Sequence, residues 1–303
     1  MVRTNVELRK NRIATVGYSE SDGVGVTVEV FFKGWAQPGP VPPGAHVPID
    51  VPPDETLDAI SGHFRIFQLR GGHRFSTDDL LTAWYGTTWA PSACSVLDLG
   101  SGIGAVGMMA AWRLVGASVV TIEAQEESVR LARKSATYNG LDNRYEIRHA
   151  DFRDRRALAT DERFDLVLGS PPYSPLGTGI DGDHPQKIAC RFELRGDIRD
   201  YASTADAHME PGGLFACVYP EQRRGWLEVA AREAGLTVVR RRPVVFREGE
   251  PPLVTLFALM RAEDLPTRMR HQTWMEPPLV IRLADGGIHP EYAATKLAIG
   301  FPP

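Results

Sequence analysis

The sequence predicts a doubly wound α/β fold, in which a mostly parallel β-sheet is covered by helices on both faces. Short apolar segments have the length and composition of buried strands, and they lie near residues 94–99, 118–123, 144–149, 164–169 and 213–218. Amphipathic segments have the periodicity of helices, and they lie near residues 104–115, 126–138, 197–208 and 223–234. Strands and helices that alternate in this way form parallel sheets.

The first 60 residues differ in composition from the rest of the chain. Residues 12–33 have β-rich flanks around a Ser, Asp and Gly centre, which predicts a β-hairpin. Residues 34–53 are so rich in Pro and Gly that they predict a linker. We therefore expect an N-terminal β-hairpin extension and linker at residues 1–60 and one main domain at residues 61–303.

Local sequence patterns also predict the elements at the start and near the end of the main domain. FRIFQL at residues 64–69 predicts a strand, and STDDLLTAWYG at residues 76–86 predicts a helix that begins at a capping Ser or Thr. Near the other end, apolar segments at 237–245 and 253–260 are joined by a polar stretch with Gly and Pro. This last pair predicts a hairpin rather than another helical crossover.

Composition limits the classes of protein to consider. The chain has 303 residues, 43% hydrophobic and 24% charged, which suits one large domain with additions and excludes disordered and fibrous classes. We expect a cytoplasmic protein without membrane contact, because no apolar run is long enough to span a bilayer and the first residues lack the apolar core of a signal peptide. The dispersed cysteines Cys94, Cys190 and Cys217 predict no metal site.

A glycine-rich loop directly follows the strand near 94–99. VLDLGSGIGAVGMMAAW at residues 96–112 predicts a strand, a loop at Gly100, Gly102 and Gly104, and a helix. In doubly wound folds, ligands bind beyond the carboxyl ends of the strands, where glycines let the backbone approach them. Asp98 within the strand would repel a pyrophosphate but attract the ammonium and sulfonium groups of S-adenosylmethionine. The sequence therefore favours S-adenosylmethionine over a dinucleotide.

Acidic residues also follow the next two strands. Glu123 is placed to accept hydrogen bonds from ribose hydroxyls, and Asp151 and Phe152 are placed to bind an adenine amino group and ring. The alternative is that these acids are unrelated residues at strand ends. The residues that we expect to bind the cofactor in this loop and after these strands are Asp98, Gly100, Ser101, Gly102, Gly104, Glu123, Ala124, Asp151 and Phe152.

The fourth strand of the series ends in Ser170-Pro171-Pro172-Tyr173. Two prolines and an aromatic residue predict a stiff turn that faces the same crevice as the glycine loop. The lone pair of an aromatic amine is delocalised into its ring, so a methyl acceptor of this kind must be held by hydrogen-bond acceptors. The Ser170 hydroxyl and the Pro171 carbonyl are candidates, and Tyr173 can stack on a base. The alternative is a turn that simply ends the strand.

The chain resembles the small-domain class I methyltransferases that carry an Asn/Ser/Asp-Pro-Pro-Tyr motif, and among them the tRNA adenine-N6 methyltransferases of a valine tRNA. The resemblance rests on GGHRFSTDDLLTAW, LDLGSGIGAVGMMAA, TIEAQEESVRLARKSATYNGL, HADFRD, GSPPY, ACRFEL, PGGLFACVYP and PPLVIRLADGGIHPEY. It implies a seven-stranded Rossmann-like methyltransferase sheet, bound S-adenosylmethionine and a tRNA substrate. It also implies that Arg74, Ser76, Thr77 and Asp78 lie near the methionine end of the cofactor.

Two observations leave the acceptor open, and the long N-terminal extension is a further departure from the family. The tRNA enzymes usually have Asn where this chain has Ser170, and serine also occurs there in DNA amino-methyltransferases. The net charge of −4 argues against a generally basic surface. The alternatives are methylation of a protein glutamine, a small-molecule amine or DNA, and a non-catalytic RNA-binding module. Basic residues that would flank a nucleic acid are Arg153, Arg155, Arg156, Lys187, Arg191, Arg195, Arg223, Arg224, Arg240, Arg241 and Arg242.

Overall fold

The computed structural model describes residues 31–32, 35–36, 44–173 and 196–301. In the N-terminal region, β1 (Phe31–Phe32) pairs antiparallel with β2 (Trp35–Ala36). The rest of the hairpin predicted over residues 12–33 lies outside the described residues. A second antiparallel ribbon is formed by β3 (Glu55–Ala59) and β4 (Arg65–Leu69).

The central sheet contains the strands that the sequence predicts. They are β5 (Ser95–Leu99), β6 (Ser118–Glu123), β7 (Tyr145–His149), β8 (Phe164–Gly169), β9 (Met209–Pro220), β10 (Leu236–Val245) and β11 (Val254–Arg261). Their order across the sheet is β10-β11-β9-β8-β5-β6-β7. The strands from β9 to β7 in this order are parallel, and β11 is antiparallel to both of its neighbours. The predicted α/β fold and the terminal hairpin are confirmed.

Two short strands extend the sheet beyond the prediction. β12 (Trp274–Met275) and β13 (Leu279–Val280) both pair parallel with β10, which brings the sheet to nine strands within the described residues. Each has two residues, too few to show an alternating pattern. They are edge additions to the predicted seven-stranded sheet.

The helices cover both faces of this sheet. They are α1 (Thr77–Trp89), α2 (Ala105–Arg113), α3 (Glu126–Tyr138), α4 (Ile198–His208), α5 (Arg224–Glu233) and α6 (Pro290–Ala298). Successive side chains of a strand point to opposite faces, so Val96 packs with α1, α2 and α3 while Leu97 packs with α4 and α5. The sequence does not predict α6, which begins at Pro290 after the capping side chain of His289.

β3 lies after the linker predicted at residues 34–53 and within the extension predicted at residues 1–60. Glu55 at the start of β3 is 1% exposed and forms ion pairs with Arg130 and Lys134 of α3, at 2.7 and 2.6 Å. Asp58 of the same strand forms an ion pair with Arg74. These ion pairs connect β3 to residues of the predicted main domain.

Because β5, β6, β7 and β8 are parallel, their carboxyl ends meet at one edge of the sheet. The first turn of α1 and the first turn of α4, which carries Tyr201, reach the same edge. Of the helices that the described residues form, none is both long enough and apolar enough to cross a membrane.

Candidate active site

A cavity of about 390 Å³ opens at the carboxyl ends of these strands. It brings together most of the residues that the sequence predicts for cofactor binding and for catalysis. These are Asp78, Asp98, Gly100, Ser101, Gly102, Glu123, Ala124, Asp151, Phe152, Ser170, Pro171, Pro172 and Tyr173. The glycine loop and the Ser-Pro-Pro-Tyr turn therefore share one cavity.

Three of the predicted cofactor residues do not line this cavity. Gly104 lies below it as the N-cap of α2, where its carbonyl accepts a hydrogen bond from the Tyr145 hydroxyl at 3.1 Å. Arg74 points to the β3–β4 ribbon and forms an ion pair of 2.8 Å with Asp58. Thr77 hydrogen-bonds Tyr292. Each of the three residues therefore has a partner within the protein.

The glycine loop is tied to the end of β6. Gly100 and Gly102 have φ values of 61° and 54°, in the left-handed region that favours glycine. The backbone N–H of Gly102 donates to Oε2 of Glu123 at 2.8 Å, and the N–H of Gln125 donates to Oε1 at 2.6 Å. Glu123 therefore fixes the loop as well as facing the cavity. A carboxylate offers about four acceptor sites, so these bonds are compatible with ligand binding.

Acidic side chains concentrate around the inner end of the cavity. Asp98 is 1% exposed, and its Oδ2 accepts a hydrogen bond from the N–H of Gly107 at 2.9 Å. Burial raises the pKa of Asp98 well above its ordinary value, and the nearby charges of Asp79 and Glu123 raise it further. Burial also raises the pKa of Asp79 to about 6, with Asp78 adding to the effect. A cationic ligand would relieve this repulsion.

Asp79 is a cavity residue that sequence reasoning missed. It occupies the third position of α1 and accepts a hydrogen bond of 2.8 Å from the Ser76 backbone in a capping box. The Ser76-x-x-Asp79 spacing was a usable signal for the helix start. Nothing in that signal indicated that the same carboxylate faces the cavity.

The Ser-Pro-Pro-Tyr turn is held from two sides. The Tyr173 hydroxyl donates to Oδ2 of Asp78 at 2.7 Å, and a guanidinium nitrogen of Arg223 donates to the Tyr173 carbonyl. Burial raises the pKa of Tyr173 well above its ordinary value, and Asp78 adds to the rise, so the phenol stays protonated. Burial raises the pKa of Asp78 too, against the lowering effect of the Tyr173 hydrogen bond.

Tyr201 of α4 closes the floor of the cavity. It is 4% exposed, and its ring meets the Phe152 ring edge-on at a centroid distance of 4.7 Å. A Cβ atom at Gly100 would overlap the Tyr201 hydroxyl, and one at Gly169 would come within 2.7 Å of its ring. Tyr201 thus joins the ends of β5 and β8. It belongs to no local motif, so the sequence alone offers no signal for this role.

Asp151, which is predicted to accept a hydrogen bond from the adenine amino group of the cofactor, has a partner within the protein. Asp151 forms an ion pair of 2.7 Å with Arg153 and also accepts from the Arg153 backbone N–H at 3.0 Å. Phe152, next to it, is 7% exposed and lines the cavity. The end of β7 therefore presents a carboxylate and an aromatic edge, as the sequence predicts, with an arginine attached to the carboxylate.

The predicted basic residues are distributed unevenly around the cavity. Arg153, Arg155 and Arg156 are exposed next to Asp151, and Arg223 contacts the Tyr173 carbonyl. The Arg240, Arg241 and Arg242 group instead contacts Trp89, Glu228 and Glu291 toward the β12 edge of the sheet. Lys187, Arg191 and Arg195 lie outside the described residues.

No group of three or more His, Cys, Asp or Glu side chains within the described part of the chain is arranged to hold a metal ion. Cys94 and Cys217 are free thiols, and Cys190 lies outside the described residues.

Residues 83–181 match the family model of the methyltransferase small domain. A solved structure with the same fold is that of a predicted O-methyltransferase from Agrobacterium tumefaciens, with a TM-score of 0.57 and 23% identity over 74% of this chain and 98% of that one. The fold is that of the class I methyltransferases, and the match over residues 83–181 indicates that the chain is a methyltransferase.

The names of two curated relatives also state a substrate. The chain is 26% identical over 196 residues to a tRNA1(Val) (adenine(37)-N6)-methyltransferase of Bacteroides fragilis, which covers 64% of this chain and 80% of the relative. It is 31% identical over 115 residues to a release factor glutamine methyltransferase of Aliivibrio fischeri, which covers 38% of this chain and 35% of that relative.

Methyltransferases of this class use S-adenosylmethionine. The residues of the cavity fit such a cofactor. The buried acids provide negative charge for its cationic groups. The Ser101 hydroxyl oxygen is buried without a hydrogen-bond partner among the described residues, although a buried hydroxyl normally has one. A polar ligand in the cavity would supply that partner.

Proposed function

We propose that this chain transfers a methyl group from S-adenosylmethionine to an exocyclic amino nitrogen, the N6 of an adenine in tRNA. The observation that carries the proposal is that Tyr173 and the preceding Ser-Pro-Pro line the same cavity as Asp98, Gly100 and Glu123. A donor held by the loop and an acceptor held by the turn would therefore meet in one enclosed space.

The glycine loop and the ends of β6 and β7 form what we call the cofactor half of the cavity. This half binds S-adenosylmethionine by charge and by shape. Asp98 and Asp79 stabilise the cationic groups, while Glu123 accepts from the ribose hydroxyls. The chain beyond β7 contributes Asp151 for an adenine amino group and Phe152 for the ring. When bound, S-adenosylmethionine supplies the activated methyl group. Tyr201 and Phe152 close the floor, which limits the access of water.

The Ser170–Tyr173 turn forms what we call the acceptor half of the cavity. This half orients the amine that receives the methyl group. The Ser170 hydroxyl oxygen and the Pro171 carbonyl accept its N–H hydrogens, which localises the nitrogen lone pair toward the methyl group. The Tyr173 ring stacks on the base, a contact worth about 1–3 kcal/mol per base in single-strand binding. A strong base is not needed, because the nitrogen gives up a proton readily once the methyl group has been added.

RNA is the acceptor that the relatives support best. The relative from Bacteroides fragilis, an adenine-N6 methyltransferase of tRNA1(Val), aligns with most of its own length. A paired base could not reach the Ser170–Tyr173 turn, so the target adenine must be unpaired or flipped out. Loops of tRNA present such bases.

A protein glutamine amide is the second candidate. It is favoured by the 31% identity to a release factor glutamine methyltransferase and by the acidic net charge of −4. An amide nitrogen has the same need for two hydrogen-bond acceptors as an aromatic amine. The shorter alignment, 35% of that relative, makes it the weaker candidate.

The purified chain, S-adenosylmethionine with a labelled methyl group and unmodified tRNA test the proposal. Wild type should incorporate methyl groups, and rising salt should reduce incorporation steeply because phosphate contacts release counterions. Asp98→Ala should abolish cofactor binding in calorimetry. Tyr173→Ala should bind the cofactor with wild-type affinity and lose turnover. Normal turnover by Tyr173→Ala would refute the assignment of the acceptor site.

A further inference from the structure

The first turn of α5 carries an exposed tryptophan. Trp226 is 53% exposed, whereas Leu227, Ala230 and Ala231 of the same helix are buried against the core shared with α4. Burying an aromatic side chain stabilises a fold, so an indole that remains exposed contributes little in this way. Its exposed face is available for contact with a molecule outside the chain.

Arg223 connects this indole to the Ser-Pro-Pro-Tyr turn. Its guanidinium carbon lies 5.2 Å from the centroid of the Trp226 ring, and one of its nitrogens donates to the Tyr173 carbonyl. The neighbouring Arg224 is paired with Glu221, but no carboxylate among the described residues forms an ion pair with Arg223. A cation and a flat aromatic surface therefore lie side by side at the edge of the turn.

We propose that Trp226 is a stacking platform for the nucleotide next to the target base in single-stranded RNA, with Arg223 beside the phosphate between them. The inference rests on the proposed function and specifies how the acceptor is held. A base that enters the Ser170–Tyr173 turn leaves its stack, and its neighbour loses a stacking partner. Aromatic side chains replace that partner in single-strand recognition, and guanidinium groups bind phosphate.

Charge favours RNA over a protein segment on this surface. Trp226 and Val229 are 53% and 37% exposed and lie one helical turn apart. An apolar pair of this kind could also contact a peptide. The positive charge of Arg223 beside the indole suits a phosphate better than an apolar side chain. A protein acceptor is therefore an outcome that the experiment must be able to detect.

The test compares steady-state methyl transfer to tRNA by wild type, Trp226→Ala and Trp226→Phe. Trp274→Ala is the matched control: Trp274 is 64% exposed and lies 5.8 Å from the Arg240 guanidinium carbon, but in β12. Four strand spacings, about 19 Å, separate β12 from β8. Cofactor affinity is measured for each variant in parallel.

We expect Trp226→Ala to raise KM for tRNA about tenfold with unchanged cofactor affinity, and Trp226→Phe and Trp274→Ala to remain within about twofold of wild type. An unchanged KM in Trp226→Ala would overturn the platform while leaving the proposed function intact. An equal rise of KM in Trp226→Phe would overturn the platform too, because phenylalanine keeps a stacking surface. Wild type that methylates protein and no RNA would refute the proposed function itself, and with it the platform.

Discussion

The Tyr173 hydroxyl donates a hydrogen bond of 2.7 Å to Oδ2 of Asp78. Asp78 lies in the first turn of α1 and Tyr173 ends the Ser-Pro-Pro-Tyr turn, 95 residues later in the chain. The bond fixes the tyrosine ring relative to the acidic end of the cavity. It therefore couples the cofactor half of the site to the acceptor half.

This coupling predicts a non-additive pair of variants. Tyr173→Phe keeps the ring and loses the hydrogen bond, so kcat with saturating cofactor should fall about twofold to tenfold. Asp78→Asn should lower kcat in wild type but have a smaller effect in the Tyr173→Phe background, because the bond is already absent. A double-mutant cycle on kcat measures the difference. Strictly additive effects would show that the bond does not position the ring.

The pKa of Asp79, about 6, predicts a pH dependence of cofactor affinity. The ionised carboxylate attracts a cationic ligand, so affinity should rise about tenfold from pH 5 to pH 7 as Asp79 loses its proton. Titration calorimetry at these pH values measures it. Asp79→Asn should flatten this part of the profile, whereas Glu126→Gln, which changes an exposed acid outside the cavity, should preserve it. A steep profile in Asp79→Asn would assign the titration to another group.

The same shift has the opposite effect on the stability of the cofactor-free protein. The pKa of Asp79 rises from 3.8 to about 6 on folding, so the folded state binds more protons between these values. The contribution of Asp79 to the free energy of unfolding should therefore fall as pH rises from about 4 to 6. Urea unfolding across this range should show that, as pH rises, the free energy of unfolding of wild type falls relative to that of Asp79→Asn.

Two glycines of the loop provide a matched comparison. Alanine at Gly102, where φ is 54° and no atom lies within 4 Å of a Cβ, should cost about 1–2 kcal/mol of stability from backbone strain. Alanine at Gly100 should cost more and should impair cofactor binding, because its Cβ overlaps the Tyr201 hydroxyl. Urea unfolding and calorimetry measure both. Tyr201→Phe should partly restore Gly100→Ala, and equal effects of the two alanines would contradict this account.

The buried acid of β3 predicts where the main domain begins. Burial favours a raised pKa for Glu55, but hydrogen bonds from Lys134 and Arg130 outweigh it and hold the pKa below 4.5. The ion pairs therefore stabilise the fold above about pH 4.5, and this stabilisation is lost as pH falls through the lowered pKa. Near neutral pH, Glu55→Gln should cost about 2 kcal/mol in urea unfolding.

Glu233→Gln is the control for that variant, because the Arg199–Glu233 pair lies at the surface with side chains 64% and 57% exposed. It should cost less than about 1 kcal/mol. We further propose that the folded domain includes β3, so a chain that lacks residues 1–43 should keep its thermal stability and one that lacks residues 1–60 should lose it. Equal melting temperatures for the two shortened chains would place the domain boundary at residue 60.

The predictable parts of this molecule are those with local signals. β5, β6 and β8 are mostly apolar runs that end at or next to Gly, or at an acidic residue, and α3 has clear amphipathic periodicity. Because parallel strands end at one edge, the sequence alone is enough to assign the residues that follow them to one site. Asp98, Glu123 and Ser170 do line one cavity.

The parts that escaped prediction depend on contacts between distant residues. β3 lies in the segment assigned to the N-terminal extension, and its buried Glu55 is paired with Lys134 and Arg130 of α3. Tyr201 acts through its fit against the ends of β5 and β8, which no spacing along the chain encodes. The family resemblance implies that Arg74 lies near the cofactor, yet its guanidinium forms an ion pair with Asp58 on the ribbon.

The most direct test of the central claim offers wild type a choice of acceptors. The chain is incubated with tritiated S-adenosylmethionine and separate RNA, DNA and protein fractions, and labelled nucleic acid is digested to nucleosides. The account predicts label in RNA that ribonuclease removes, recovered as N6-methyladenosine and absent with Asp98→Ala. Label confined to protein or DNA, or recovered in a different nucleoside, would contradict it.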